Sequence, residues 1–119
     1  MPDALIDEAV LAQLLETVGG DRTFLAELVE AYLADSPGLV EEMRTSLARG
    51  DRTALRRAAH TLKSTSASLG ATAFADACRG IEHAAEAGES DALAAAIEAA
   101  ATDYEGVAAA LRARIGSAA

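Results

Sequence analysis

The chain has 119 residues, enough for one domain, and 51% of them are hydrophobic although only 3% are aromatic. Alanine is abundant and β-branched residues are few, a composition that favours closely packed helices over sheets. The net charge of −9 at pH 7 argues against nucleic-acid and anionic-membrane binding, because both surfaces would repel the chain. We therefore expect a protein partner.

Features tied to cellular location point to the cytoplasm. Cys78 is the single cysteine, which excludes an intramolecular disulfide. The N-terminus lacks a basic segment followed by an apolar run, so no signal peptide is predicted. Charged residues interrupt every apolar stretch, so no membrane span is predicted either.

Helix stop and start signals divide the chain into five segments. Glycine favours the left-handed conformation that ends a helix, and Asp or Ser accepts a hydrogen bond at the next helix start. Such signals occur together at residues 19–21, 50–51 and 88–91, and Gly70 provides another stop. The predicted helices span residues 6–18, 21–49, 51–69 and 71–87, with a fifth that ends near residue 113.

Pro37 falls inside the second segment and removes one backbone donor. The apolar register nevertheless continues past it. We therefore expect either one kinked helix or two nearly collinear helices, with Ser36 as the cap of the second.

Short connections between long amphipathic helices favour antiparallel neighbours. We predict an all-α fold, an up-down antiparallel four-helix bundle with a short extra N-terminal helix. Residues 1–119 would form a single monomeric domain with a helical core of about 6–113 and a frayed alanine-rich tail, 113–119. The fifth helix has a narrow packing seam, formed by Leu93, Ile97, Ala100, Tyr104, Val107 and Leu111.

The third helix separates an apolar stripe from a cationic outer surface when it is drawn at about 100° per residue. The predicted core stripe consists of Leu55, Ala58, Ala59, Leu62, Ser66 and Leu69. His60 points away from this stripe. Its neighbours on the outer surface are Arg56, Arg57, Lys63, Ser64 and Ala67.

An exposed histidine on a rigid helix beside several cations suits phosphoryl transfer. Neutral imidazole is a competent nucleophile near neutral pH, and nearby cations stabilise the anionic phosphoryl group that it would carry. Residues three or four apart on a helix are neighbours, so Lys63 and Arg56 can both reach a group bonded to His60. The positions of these residues on a helical wheel fit an ordinary surface histidine equally well.

The local sequence adds a resemblance. Residues 59–71 read AHTLKSTSASLGA, which resembles the signature of the histidine-containing phosphotransfer (HPt) family, usually His-x-Leu-Lys-Gly followed by a Leu-Gly or Val-Gly turn. Flanking residues 20–32, 50–60 and 78–88 also resemble the family, so the resemblance covers nearly the whole chain. Ser64 stands where glycine is commonest. Serine is small enough to be tolerated there and could hydrogen-bond its own helix backbone.

The resemblance implies a phosphorelay carrier of two-component signalling, and the composition, rich in alanine and arginine, suggests a bacterial origin. His60 would accept a phosphoryl group on Nε2 from a receiver-domain aspartate and pass it to another receiver. Lys63 would help to neutralise that group, and Glu82 could accept a hydrogen bond from Nδ1–H. The partners would be response-regulator receiver domains or a hybrid histidine kinase. We expect the carrier to bind no metal or cofactor, since the receiver would bring Mg²⁺.

The charge pattern and the wheel also indicate a docking surface. An acidic protein that concentrates positive charge beside one histidine has a surface suited to a partner. We assign Arg56, Arg57, Ser64 and Ala67 to partner binding.

The sequence also argues against a nucleotide-binding site and against a metal site. Lys63-Ser64 lacks the preceding glycine of a nucleotide-binding loop, and without such a motif an autonomous kinase is not expected. Cys78 falls on an apolar stripe whereas His60 and His83 do not, which favours a buried thiol and two surface histidines over a metal site.

Aromatic and hydroxyl side chains elsewhere have structural interpretations. The predicted core aromatics are Tyr32, Phe74 and Tyr104. The hydroxyl-rich run from Ser64 to Ser68 has no partnered base that would make a nucleophile, and Ser66 is expected to bond to backbone or to another helix.

Two functional alternatives remain. The chain could be a non-catalytic helical module that binds receiver domains or a regulator without phosphotransfer, although such a module needs neither His60 nor Lys63. It could also be a structural or oligomerisation bundle, for which no exposed seam is evident.

Overall fold

A computed structural model describes residues 5–88 and 90–115 of the chain. The five α-helices are α1 (Glu8–Thr17), α2 (Arg22–Arg49), α3 (Arg52–Ser68), α4 (Thr72–Ala87) and α5 (Ser90–Ile115). No strand occurs within the described ranges, so the predicted all-α fold is confirmed. The first four helices begin and end within two residues of their predicted limits.

Side-chain and glycine caps define the helix ends. The Asp21 carboxylate accepts a hydrogen bond from the Phe24 N–H at the start of α2. The Asp51 carboxylate accepts one from the Ala54 N–H at the start of α3. Gly50 and Gly88 end α2 and α4 in the left-handed conformation. These caps follow from local chemistry, which is why the sequence predicted them.

α2 continues through Pro37 as one helix. Ser36 is buried, and its hydroxyl donates to the carbonyl of Tyr32 at 2.6 Å, so the alternative in which Ser36 caps a second helix is wrong. Tyr32 and Val40, one on each side of the proline, are both buried. Packing of both halves against the core offsets the single backbone hydrogen bond that proline removes.

The four long helices pack in a closed ring, with α2 against α3, α3 against α4, α4 against α5 and α5 against α2, while α1 lies against α2 and α3. This arrangement is consistent with the predicted four-helix bundle and extra N-terminal helix. The core stripe of α3 and the seam of α5 are buried throughout. Tyr104 packs between Tyr32 and Phe74, with ring centroids 6.1 and 5.7 Å apart.

The turn between α3 and α4 is tied to the N-terminal segment at Gly70. The Asp7 N–H donates to the Gly70 carbonyl at 2.7 Å, and Asp7 in turn caps α1 through its carboxylate. Gly70 has φ +86°, and a Cβ at this position would lie 2.7 Å from the Asp7 carbonyl oxygen. Only glycine lets the two backbones approach this closely.

α5 continues to Ile115, two residues past the predicted limit of the helical core. Arg114 pairs with Glu8 of α1 and donates to the carbonyl of Ala110, which holds this last turn in place. The rest of the predicted frayed tail, 116–119, lies outside the described residues. Within the described part of the chain, none of the helices combines the length and apolar character needed to cross a membrane.

Candidate functional site

The structure places His60 on the outer surface of α3. The residues of the predicted core stripe turn inward, and the His60 side chain is 57% exposed. The helix is held from both sides, since α3 packs on α2 and on α4. The imidazole is therefore accessible from solvent on a supported backbone.

Glu82 of α4 joins His60 and Lys63 through a single carboxylate. Its Oε2 lies 2.9 Å from His60 Nδ1, and its Oε1 accepts a hydrogen bond from Lys63 Nζ at 2.8 Å. The buried neighbours Ile81 and Ala85 hold this part of α4 against the core. The Glu82 side chain itself is only 11% exposed.

The charge of Glu82 determines which nitrogen of His60 carries the proton. The hydrogen bond from Lys63 is the main cause that lowers the pKa of Glu82 below its ordinary value, against the opposing effect of burial, and the hydrogen bond with His60 adds to it. An ionised carboxylate can only accept. Nδ1 therefore donates its proton to Glu82, and Nε2 keeps its lone pair on the exposed edge of the ring.

The four residues assigned to partner binding lie around His60 on the same surface. Arg56, Arg57, Ser64 and Ala67 are all exposed, and Arg56 approaches Glu86 of α4 at 4.0 Å. α3 contains four cationic residues and no acidic one, in a chain whose net charge is −9. The outer surface of α3 is thus positively charged on an acidic protein.

Ser64 differs from its hydroxyl-bearing neighbours on α3. Thr65 and Ser68 each donate to the backbone carbonyl four residues earlier. Within the described ranges the Ser64 hydroxyl makes no such bond, so the interaction with its own helix that the sequence allowed is not formed. Ser64 leaves a small polar group exposed one turn after His60.

An apolar groove on the other side of α3 was not predicted from the sequence. It has a volume of about 330 Å³, and Thr61 on its edge directly follows His60. The groove is lined mainly by apolar side chains of α1 and α2 together with short side chains of α3, among them Leu14, Leu28, Leu39, Thr61 and Thr65. The sequence signal for this groove is the set of additional leucines on α2, and their positions do not say which helix faces them.

No group of three or more His, Cys, Asp and Glu side chains that could hold a metal ion occurs in residues 5–88 and 90–115. Cys78 is fully buried, and burial raises the pKa of its thiol to about 12. His83 is exposed. The burial of Cys78 and the exposure of His60 and His83 agree with the positions that the apolar stripe predicted.

Comparison with known proteins identifies the class. The family model of the Hpt domain matches residues 27–114. The chain therefore belongs to the histidine-containing phosphotransfer (Hpt) family, as its sequence predicted.

Among solved structures, the chain is similar to histidine-containing phosphotransfer protein B (HptB) from Pseudomonas aeruginosa PAO1, with a TM-score of 0.87 and 27% sequence identity. The match covers 95% of this chain and 96% of that one. A search of the curated proteins found no match.

Proposed function

We propose that this protein is a phosphorelay carrier of two-component signalling that accepts a phosphoryl group on His60 from a receiver-domain aspartate and passes it to another receiver. The observation that carries the proposal is the geometry of His60. Its Nδ1 is held by Glu82 at 2.9 Å while the side chain is 57% exposed. Membership of the Hpt family supports the same role.

In the proposed step, the lone pair of His60 Nε2 attacks the phosphorus of a receiver aspartyl phosphate. The Nε2–P bond forms as the P–O bond to the aspartate breaks, and the aspartate leaves as a carboxylate. The imidazole ring gains a positive charge, which the Glu82 carboxylate stabilises through Nδ1–H. Transfer onward reverses these changes, and the ring leaves as neutral imidazole with its proton still on Nδ1.

Lys63 is our candidate for neutralising the bound phosphoryl group. Its ammonium lies one turn after His60 and is 28% exposed, so it can turn from Glu82 toward a phosphoryl oxygen. Positive charge beside a phosphoryl group stabilises it in both the ground and transition states. The proposal assigns Mg²⁺ to the receiver and gives the carrier no kinase activity of its own.

Two surfaces beside His60 would form the receiver-docking surface. The cationic surface of α3, with Arg56 and Arg57, complements the acidic phosphorylation site of a receiver and would speed association. The small side chains of Ser64 and Ala67 leave room for a receiver to approach the imidazole. The apolar groove beside Thr61 would bury nonpolar surface of the partner. The carrier would act as a cytoplasmic monomer.

The test is phosphotransfer from a panel of phosphorylated receiver domains in the presence of Mg²⁺. Label that is acid-labile and base-stable, present on the wild type and absent from a folded His60→Gln variant, is the expected result. Receiver binding without any label would favour the non-catalytic interaction module instead. Circular dichroism of both proteins checks that the substitution leaves the helices intact.

A further inference from the structure

One carboxylate lies in the apolar groove beside Thr61. Asp35 of α2 is the only charged residue among the described residues that line this groove, and it is exposed. Leu28, two turns earlier on α2, and Leu39, one turn later, line the same groove. The charge of Asp35 therefore interrupts an apolar stripe along one side of α2.

The acidic residues that follow on α2 already have partners, whereas Asp35 does not. Glu41 pairs with Arg44 at 3.2 Å. Glu42 pairs with Arg49 at 3.4 Å. In the part of the chain that the structure describes, no Lys, Arg or His side chain pairs with Asp35. Its carboxylate is therefore solvated and available to a cation from another molecule.

The apolar stripe of α2 extends beyond the groove to Phe24. This side chain is 44% exposed, and it is the one large hydrophobic side chain so exposed within residues 5–88 and 90–115. It precedes Asp35 by about three helical turns and so lies on the same side of α2. An exposed apolar surface with a polar rim is typical of a site that binds another protein.

A partner that covers this stripe removes water from Asp35. A carboxylate that loses its water needs a cation or hydrogen-bond donors, because burial of an unpaired charge is strongly unfavourable. A partner with lysine or arginine at that point replaces the lost solvation, whereas a partner with an apolar or acidic side chain there does not. Asp35 thus acts against wrong partners as well as attracting suitable ones.

We propose that Asp35 determines which receiver domains this protein accepts, by requiring a lysine or arginine at the point of the receiver surface that covers the groove. The inference rests on the proposed function, because it takes a receiver as the occupant. Charge complementarity supports that occupant. The cationic surface of α3 attracts the acidic phosphorylation site of a receiver, and Asp35 attracts a basic side chain next to that site. Opposite charges at two points also fix the orientation of the receiver.

Glu30 provides a matched control for Asp35. It is an exposed residue of α2 and does not line the groove. It lies five residues before Asp35, which places it about 140° away around the helix. Asp35→Lys and Glu30→Lys change the net charge equally, so a difference between them reports the position of the charge. Asp35→Asn removes the charge without reversing it.

The experiment measures transfer from phosphorylated receiver domains in the presence of Mg²⁺, over a range of receiver concentrations. For receivers that label the wild type, Asp35→Lys should lower the second-order rate constant by about tenfold or more. The rate at saturating receiver should stay unchanged, because Asp35 does not touch the reacting atoms. Asp35→Asn should lose less, and Glu30→Lys should stay within about twofold of the wild type. Circular dichroism checks folding.

Charge reversal on the receiver identifies the partner residue. Each exposed lysine or arginine near the phosphorylated aspartate of the receiver is replaced in turn by glutamate. One such receiver should lose transfer to the wild type and regain it with Asp35→Lys. The inference is overturned by equal losses for Asp35→Lys and Glu30→Lys. It is also overturned if no reversal on the receiver restores transfer to Asp35→Lys.

Binding measurements separate this inference from the proposed function, because the affinity of unphosphorylated receivers for the same variants needs no transfer. If binding depends on Asp35 as expected but no receiver labels His60, the proposed function fails and the inference holds. If transfer occurs and is indifferent to Asp35, the reverse is true. If no receiver binds the wild type, both fail. Sedimentation of the wild type alone tests a second copy as the occupant, and a dimer that Asp35→Lys dissociates would overturn the inference.

Discussion

The hydroxyl groups of Tyr32 and Ser66 lie 2.7 Å apart in the core and join α2 to α3. Both residues are buried, and burial raises the pKa of Tyr32 to about 12. Ser66 lies on α3 six residues after His60, so this bond helps to hold the helix that carries the nucleophile. It also confirms that Ser66 bonds to another helix.

The Tyr32–Ser66 bond leads to a stability prediction. Ser66→Ala and Tyr32→Phe should each lower the free energy of unfolding by about 1–3 kcal/mol, because each leaves one buried hydroxyl without this partner. The double variant should lose less than the sum of the two single losses. Urea denaturation measures all three, and strictly additive losses would show that the two hydroxyls do not depend on each other.

The orienting role of Glu82 leads to a second prediction. Glu82→Ala should slow phosphoryl transfer to His60 by about 10- to 100-fold, by analogy with the loss when the orienting partner of a metal-binding histidine is removed. Glu82→Gln should be slowed less, because its amide oxygen can still accept from Nδ1–H. Single-turnover transfer from a labelled receiver gives the rates. Glu86→Gln, an exposed carboxylate one turn along α4, is the control and should transfer at the wild-type rate.

The lowered pKa of Glu82 predicts how stability changes with pH. Its pKa in the folded chain lies below the ordinary value of 4.5, chiefly because of Lys63. The stabilisation is present above the unfolded-state value and is lost as the pH falls through the folded-state value. The stability difference between wild type and Glu82→Gln should therefore be larger at pH 7 than at pH 3. Urea denaturation at the two pH values checks this, and a difference independent of pH would contradict it.

Two glycines distinguish the stability cost of a side chain on a left-handed backbone from the cost of a close contact. Gly50→Ala should cost about 1–2 kcal/mol, because its left-handed backbone disfavours a Cβ although no atom lies within 4 Å of that position. Gly70→Ala should cost clearly more, since its Cβ would also meet the Asp7 carbonyl oxygen at 2.7 Å. Thermal unfolding compares the two, and equal losses would show that the α1 segment yields to the added methyl group.

The sequence by itself determined the helices and their inner surfaces. Glycine and aspartate signals act within a few residues, so the ends of α2 and α3 could be predicted from local chemistry. The periodicity of apolar residues likewise predicted that Leu55 and Leu62 turn inward and that His60 turns outward. The association of Glu82 with His60 came from the family resemblance, since a separation of 22 residues along the chain carries no geometric signal.

Only the tertiary structure decided the contacts between helices. Periodicity allowed either one or two helices across Pro37, and burial on both sides of it produced one. The pairing of Lys63 with Glu82, the bond between Tyr32 and Ser66 and the groove beside Thr61 depend on how each helix is rotated against its neighbour. That rotation is set by the packing of the whole core, whereas a helix start or an apolar stripe is set by residues within a few turns of one another.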